Sequence, residues 1–593
     1  MHGDIGYKFV DYSLNQRAPA GHESTETPIG KESGGVTWDA NGHVVGLDLS
    51  SESISGGFNS SSSLFNLQYL QSLNLAGNSF CGGLNWPNNN FCSSQIPSGF
   101  DRLANLIYLN LSNSGFSGQI PKEFSLLTRL VTIDFSSLGY LIGFPTLKLQ
   151  NPNLRMLVQN IKELRELHLN GPIHSSLQKL RSLSRIRLDD NNFAAPVPQF
   201  LASFSNLTHL QLSSCGLTGT FPEKIIQVTT LQILDLSINL LEDSLPEFPQ
   251  NGSLETLVLS DTKLWGKLPN SMGNLKKLTS IKLARCYFSG PILNSVANLP
   301  QLIYLDLSEN KKSPPVPVFP PILAEVTTRQ QPNFCFLDLS SNKFNGKIEL
   351  SKFKKLGNLT DLSLSYNNLS INATLCNLSP SILPMFTTLR LASCRLTTLP
   401  DLSGQSSLTH LDLSQNQIHE NIPSWIWKIG NGSLVYLNLS HNLLEDLHEP
   451  FSTFTPYLSI LDLHSNQLHG QIPTPPIFCS YVDYSNNSFT SSIPEDIGTY
   501  IFFTIFFSLS KNNITGIIPA SICNASYLRF LDFSDNALSG MIPSCLIGNE
   551  ILEDLNLRRN KLSATIPGEF SGNCLLRTLD LNGNLLEGKF QTL

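Results

Sequence analysis

From about residue 44 onward, one short pattern of apolar and polar positions recurs along the chain. Leu528, Leu531, Phe533, Asn536, Leu538, Ile542 and Pro543 stand at fixed offsets. Leu552, Leu555, Leu557, Asn560, Leu562, Ile566 and Pro567 repeat those offsets 24 residues later, and Leu576, Leu579, Leu581, Asn584 and Leu586 repeat them again. The same spacing starts at Leu183, Leu207, Leu231, Leu254, Leu278 and Leu302, and runs again from Leu359 to Leu458. Weaker copies begin at Val44, Leu70, Leu106, Leu130 and Leu164. The pattern is LxxLxLxxNxL, in about 22 units. One match carries little weight because Leu is common, but a register held over more than 500 residues is not chance.

Each offset has a physical role. Alternating apolar residues such as Leu531 and Phe533 predict a short strand with one face buried, and successive strands then stack into a parallel sheet. The Asn column comprises Asn78, Asn191, Asn239, Asn310, Asn342, Asn367, Asn416, Asn442, Asn466, Asn536, Asn560 and Asn584. It marks where the chain turns inward, so that each amide satisfies backbone groups that would otherwise be buried unpaired. Cys215, Cys286 and Cys394 occupy the same column and read as buried structural thiols. The Gly-x-Ile-Pro segments, Gly118 to Pro121, Gly470 to Pro473, Gly516 to Pro519 and Gly540 to Pro543, place Gly for close approach and Pro for an extended outer path. The predicted fold is an α/β-type leucine-rich-repeat solenoid. It is a curved right-handed superhelix with a parallel β-sheet on the concave face and a mostly irregular and 3-10 outer face. At ~4.8 Å per strand its inner arc is on the order of 100 Å.

Length alone would suggest several domains, but a repeat unit needs only its neighbours to bury its core. The organisation has residues 1–32 as an unmatched N-terminal segment and 33–69 as the first strand with, by the resemblance given below, the remnant of an N-terminal cap. A first array covers 70–310, a Pro-rich irregular insertion 311–333, and a second array 334–593. Charged residues make up only 14%, and the net charge of −7 argues against nucleic acid, whose phosphates demand a basic face. There is no CxxC and no metal-ligand spacing among the twelve His, so neither metal nor cofactor is expected. HExxH, phosphate-loop, GxSxG and kinase signatures are absent, and the chain reads as a binding protein rather than an enzyme. Met1 to Asn15 holds no apolar core of signal-peptide length. The apolar run Tyr500 to Leu509 is too short to span a bilayer. The sequence as it stands therefore reads without a leader or a membrane span.

The 24-residue step and the Gly-x-Ile-Pro extension resemble the plant-specific leucine-rich repeat. The segment Gly34-Gly-Val36-Thr-Trp38, continuing through Leu49, resembles the second half of the plant N-terminal cap, although the Cys pair that usually precedes it is missing. Together these resemble plant leucine-rich-repeat receptor-like proteins, of the class that includes tomato resistance proteins against leaf mould and Verticillium wilt. The resemblance covers residues 33 to 593, in a form that reads as truncated: the pattern stops inside an outer segment without a C-terminal cap. It implies a glycosylated ectodomain at the plasma membrane, facing outward, that binds a peptide or protein ligand in pathogen perception. It also implies signalling through a co-receptor or adaptor kinase. The rival readings are a secreted inhibitor of a pathogen enzyme and a non-functional truncated copy.

Binding in such a fold uses the concave sheet, whose outward positions are +2, +4 and +6 counted from the first Leu of each unit. The candidate residues there are Glu166, His168, Arg185, Arg187, Asp189, His209 and Gln211, with Lys282, Tyr304 and Tyr436 further along. The Asp of LDLS (Asp235, Asp306, Asp338, Asp412, Asp462, Asp532 and Asp580) reads as a generic repeat residue. Of thirteen Asn-x-Ser/Thr sequons, Asn206, Asn358, Asn431 and Asn513 are glycosylation candidates, while Asn110 and Asn438 fall on the concave face itself. Cys81 and Cys92 bracket an insertion and are a candidate disulfide; Cys523 and Cys545 lie on adjacent outer segments and are another.

Overall fold

The computed structural model describes residues 32–33, 35–56, 59–78, 80, 94–136, 147–148, 154–157, 159–169, 175–191, 193–290, 294–297, 299–310, 333–373, 383–447, 455–566 and 574–587. The N-terminal segment to residue 31, the Pro-rich stretch 311–332 and the Cys81–Cys92 pair lie outside them. The chain divides into two compact units, Met1–Asn170 and Gly171–Leu593.

The first unit opens with an antiparallel hairpin, in which Val36–Trp38 pairs with both Glu32–Ser33 and Val44–Asp48. Asp39 closes its turn by accepting from the N–H groups of Asn41 and His43 at 2.9 and 2.8 Å, and Gly42 supplies the left-handed residue, φ +83°. From Val44–Asp48 the ladder becomes parallel, running through Ser72–Asn74, Tyr108–Asn110, Thr132–Asp134 and Glu166–His168. Beneath it, Phe65, Phe100, Phe124 and Phe135 form a buried spine with ring centroids 4.9–5.2 Å apart.

The second unit is a parallel ladder from Arg185–Arg187 to Thr578–Asp580, and it is a leucine-rich-repeat solenoid. Every register pairs equivalent offsets: Ile186 faces Leu210, Leu210 faces Leu234, and so on to Leu555 facing Leu579. The +3 residues along this ladder are buried from Ile186 to Leu555, many of them completely, and Leu579 is half-buried, while +2 and +4 point to the open face. A residue in left-handed conformation stands at +7 in repeat after repeat, among them Asp190, Ser214, Asp261, Arg285, Gln415, Lys511 and Asp535, with φ of 52–58°. It reverses the chain immediately before the Asn column.

That column is the lock of each repeat. The Asn239 amide donates to the carbonyls of Leu212, Leu236 and Ser237 at 2.8–3.0 Å, and its Oδ1 accepts from the N–H of Cys215 and Leu217. Asn416 repeats these bonds in its own repeat, and Asn442 donates to the three equivalent carbonyls and accepts from the N–H of Ile418. Where Cys replaces Asn, the thiol makes a reduced version: Cys215 Sγ donates to Leu188 O at 3.0 Å and is completely buried. Burial pushes the thiols of Cys215 and Cys394 up to about 12. Asn487 and Asn512 belong to the same column, with the same three carbonyls each. Their repeats do not stand out by pattern because Cys479 and Thr504 replace the first Leu. Both are nevertheless fully buried, and Thr504 returns its hydroxyl to Cys479 O at 2.8 Å.

On the outer side the chain runs through short second strands and single helical turns. Lys263–Lys267 pairs with Glu242–Asp243 and Tyr287–Ser289, and Lys561–Thr565 with Ser539–Gly540 and Leu585–Glu587. Pro97, Pro121, Pro269, Pro423 and Pro519 each sit in extended conformation just before a 3-10 turn, where a missing N–H costs nothing. Gly498 shows how tightly the turns stack: a Cβ there would fall 1.7 Å from Ser521 O in the next repeat.

Candidate binding face

The positions +2 and +4 point to the open face, but +6 does not hold as an outward position along the ladder: Ser237, Ser308, Ser414, Ser440 and Ser534 are buried there, because the chain is already turning inward toward the Asn column. Glu166 and His168 belong to the first unit, where His168 Nδ1 lies 3.1 Å from Asp134 Oδ2 and Thr132 Oγ1 lies 3.4 Å from Glu166 Oε2. The remaining candidates belong to the second. Arg185 and Arg187 are exposed and stand in register with His209 and Gln211. Arg187 Nε donates to Asp189 Oδ2 at 2.7 Å, while Asp189 Oδ1 accepts from Ser213 N at 2.8 Å, so Asp189 is committed to the scaffold. His209 Nδ1 lies 2.8 Å from Thr208 Oγ1. Lys282 Nζ sits 5.0 Å from the Tyr304 ring centroid, a cation–π contact.

Around Tyr304 and Tyr436 the structure shows what single residues did not. Each belongs to a run of flat side chains at +2. Tyr304 stacks on Phe336 at 3.9 Å with planes 7° apart. His410 and Tyr436 lie parallel at 6.1 Å, Ile460 follows in register, then Tyr481 stacks on Phe506 at 4.5 Å, and Phe530 lies 6.5 Å beyond. Parallel register forces this: equivalent positions on neighbouring strands are about 4.8 Å apart, so aromatic residues one repeat apart become stacked neighbours. The column was present in the sequence as Phe336, His410, Tyr481, Phe506 and Phe530, legible only when the +2 positions are read down the repeats.

Beside it, at +4, runs an acidic column: Asp306, Asp338, Asp412, Asp462, Asp483 and Asp532. Several of these carboxylates lock the +6 residue. Asp306 Oδ1 accepts from both the N–H and hydroxyl of Ser308, and Asp412 does the same with Ser414. Burial holds the carboxyls of Asp306, Asp412 and Asp483 above the ordinary range, despite those bonds. Burial, helped by the Asp412 charge, pushes the Tyr436 phenol up to about 12. The face therefore pairs an apolar ribbon with a row of poorly solvated acids.

Asn206, Asn358, Asn431 and Asn513 are all exposed. Asn438 on the open face accepts from Ser440 and donates to Tyr436 OH at 3.3 Å; Asn110 does the same with Ser112 and Tyr108. Cys523 and Cys545 form a disulfide across adjacent outer segments. No helix among the described residues is long and apolar enough to cross a membrane.

The flank of the second unit changes character along its length. At position −1 the earlier repeats carry Ser182, Asn206, Thr230, Ser253, Lys277, Gln301, Asn333 and Asn358. After Met385, Ser407 and Ser433, five successive repeats carry Tyr457, Phe478, Phe503, Tyr527 and Ile551, from 39% to 67% exposed. Phe503 lies 5.4 Å from Phe478 and 5.7 Å from Tyr527.

Leucine-rich-repeat family models match residues 528–586 and, separately, 105–127, 206–227, 253–275, 407–429 and 505–525. The chain is 31% identical to Receptor-like protein 6 of Arabidopsis thaliana, over 82% of its own length and 55% of the relative's. It spans about half the length of the curated relatives it matches. Among solved structures it resembles the plant peptide hormone receptor RGFR1 in complex with RGF2, with TM-score 0.61 and 26% identity, over 93% of this chain and 83% of that one. It also resembles the Arabidopsis receptor kinase HAESA in complex with the peptide hormone IDA and the co-receptor SERK1, with TM-score 0.58 and 25% identity, over 94% and 93%. The chain is thus a leucine-rich-repeat solenoid whose relatives are plant receptor-like proteins.

Proposed function

We propose that this chain is the ligand-binding ectodomain of a plant cell-surface receptor-like protein, that it binds an extended peptide or protein segment across its open sheet face, and that it performs no catalysis. The observation that carries this reading is the ribbon Tyr436, Ile460, Tyr481, Phe506 and Phe530 beside Asp412, Asp462, Asp483 and Asp532. These half-buried, stacked side chains are preorganised contact area, losing little entropy on binding. The acids beside them favour a ligand with Lys or Arg between apolar side chains. Two solved neighbours are a plant peptide hormone receptor and a receptor kinase in complex with a peptide hormone, which supports the ligand class. The Cys523–Cys545 disulfide is consistent with an oxidising, extracellular setting. Pathogen perception is the biological role we assign by resemblance.

Signalling then falls to a partner kinase, and the apolar flank from Tyr457 to Ile551 is the surface that suits one. A co-receptor is present in one of the neighbouring complexes, which supports this arrangement. To test the ligand face, a random peptide library is selected against the full chain, and the best binders are re-measured on the double variant Tyr481→Ala, Phe506→Ala. The expected result is enrichment of apolar and basic residues and a loss of at least tenfold in affinity. Selected peptides that bind the variant unchanged would refute the assignment of this face.

A further inference from the structure

At position +6 the repeats on either side carry Ser440 and Ser485, but between them stands His464. Its Nδ1 lies 2.6 Å from Asp462 Oδ1 and 3.9 Å from Asp483 Oδ2. Asp462 and Asp483 are register partners on adjacent strands, and each is only 8% exposed. One nitrogen and two carboxylate oxygens thus fall within 4.8 Å of one another. On its other side His464 Nε2 lies 2.9 Å from Nε2 of His441, with the rings 79° apart.

We infer that Asp462, His464 and Asp483 form a binding site for a divalent transition-metal ion of the zinc type, with its outward coordination position open to water or to a bound ligand. Two carboxylates of like charge share a poorly solvated place here, and among the described residues the basic group paired with both is the same imidazole. A dication between them would relieve that repulsion. The donor set also suits zinc: imidazole nitrogen with carboxylate oxygen is a borderline combination, whereas calcium calls for six or more oxygens. In a tetrahedral site with bonds of about 2.0–2.1 Å, neighbouring donors stand about 3.3 Å apart. The observed 2.6 and 3.9 Å bracket that value and the three atoms all lie within 4.8 Å of one another, so carboxylate movements of up to about 1.5 Å would complete it.

His441 then has a defined part. To ligate through Nδ1, His464 must carry its proton on Nε2, and His441 Nε2 is placed to accept it. This is the arrangement by which an outer partner fixes the tautomer of a ligating histidine. His441 is a positioning residue and is not itself a ligand.

The test is calorimetric titration of the chelator-stripped full chain with Zn²⁺ alone, alongside Co²⁺ absorption as a report of four-coordinate geometry. The expected result is one ion per chain, with affinity lowered at least tenfold in both His464→Ala and Asp483→Asn and the Co²⁺ band lost. His441→Ala should weaken binding by about tenfold while keeping one ion per chain. Asp338→Asn, in an acidic pair without a neighbouring imidazole, should change nothing. A wild-type chain that takes up no zinc overturns the proposal, as does a folded His464→Ala chain that takes it up unchanged. Should His464→Ala fail to fold, Asp483→Asn, which keeps the side-chain shape, decides in its place.

Discussion

Two stretches of the second unit, Arg185 to Lys282 and His410 to Phe530, share one backbone and present opposite chemistry. In both, the +3 residues form a continuous buried ladder and the Asn lock, Asn239 in the first and Asn442 in the second, satisfies three equivalent carbonyls. In the first, the open face carries Arg185, Arg187, His209, Gln211 and Lys282, and the flank carries Ser182, Asn206 and Thr230. In the second, the open face carries stacked aromatics beside acids, and the flank carries Tyr457, Phe478, Phe503 and Tyr527. The difference teaches that the fold leaves +2 and −1 free to vary, because neither is needed to bury the core, while +4 is shared between scaffold and face. Function in this architecture is written on the positions that stability does not read.

The largest expected effect concerns the shared interior. Cys215 in the first stretch and Cys479 in the second have thiols pushed up to about 12 by burial. At pH 8 each should alkylate roughly a thousandfold more slowly in the native than in the unfolded chain, since the thiolate is the reactive form. Mass spectrometry after maleimide treatment measures this, and fast native labelling of one but not the other would break the equivalence. The sign for stability follows. Unfolded thiols ionise near 9.0 and the folded ones about three units higher, so the unfolded state binds fewer protons in between. This contribution is fully present below pH 9 and is lost as pH rises toward 12.

Next in size is the lock itself. Asn239→Ala and Asn442→Ala each strand buried carbonyls, and each should cost about 3 kcal/mol. Hydrogen exchange of the flanking repeats reads this locally, and a neutral result in either stretch would show that the two scaffolds are not alike. The face should then separate them. Phe506→Ala is expected to weaken a selected peptide by about 2 kcal/mol, while Arg187→Ala, whose guanidinium is half exposed and paired with Asp189, changes affinity less than about threefold. Equal losses in a binding titration would move the site or spread it over both stretches.

The smallest effect is peculiar to the second stretch. Tyr484 is fully buried at +5, where the pattern has Leu, and its hydroxyl has no hydrogen-bond partner among the described residues. Tyr484→Phe should leave thermal stability unchanged or raise it by up to about 1 kcal/mol. A drop in the melting temperature would mean that the hydroxyl is engaged.

Much of the architecture was legible because a repeat is self-similar. Leu531 and Phe533 declare a half-buried strand, and Asn536 declares the turn that follows. The repeats at Cys479 and Thr504 escaped the pattern because a small buried residue fills the place of Leu, and only packing reveals that both are interior. The candidate face was legible in position but not in composition. Tyr304 and Tyr436 stood out singly, yet Phe336, Tyr481, Phe506 and Phe530 belong with them. The Asp of LDLS is both the repeat residue it resembles, locking Ser308 and Ser414, and half of an acidic row that faces any ligand.

The sequence by itself determined the repeat, its strand, its turn and which offsets face inward, because those are local consequences of periodicity and of the need to pair buried backbone groups. Only the tertiary structure decided which side chains become neighbours. Parallel register brings residues some twenty positions apart to within a strand spacing of one another. It therefore assembled the aromatic ribbon, the Cys523–Cys545 bridge and the meeting of Asp462, His464 and Asp483.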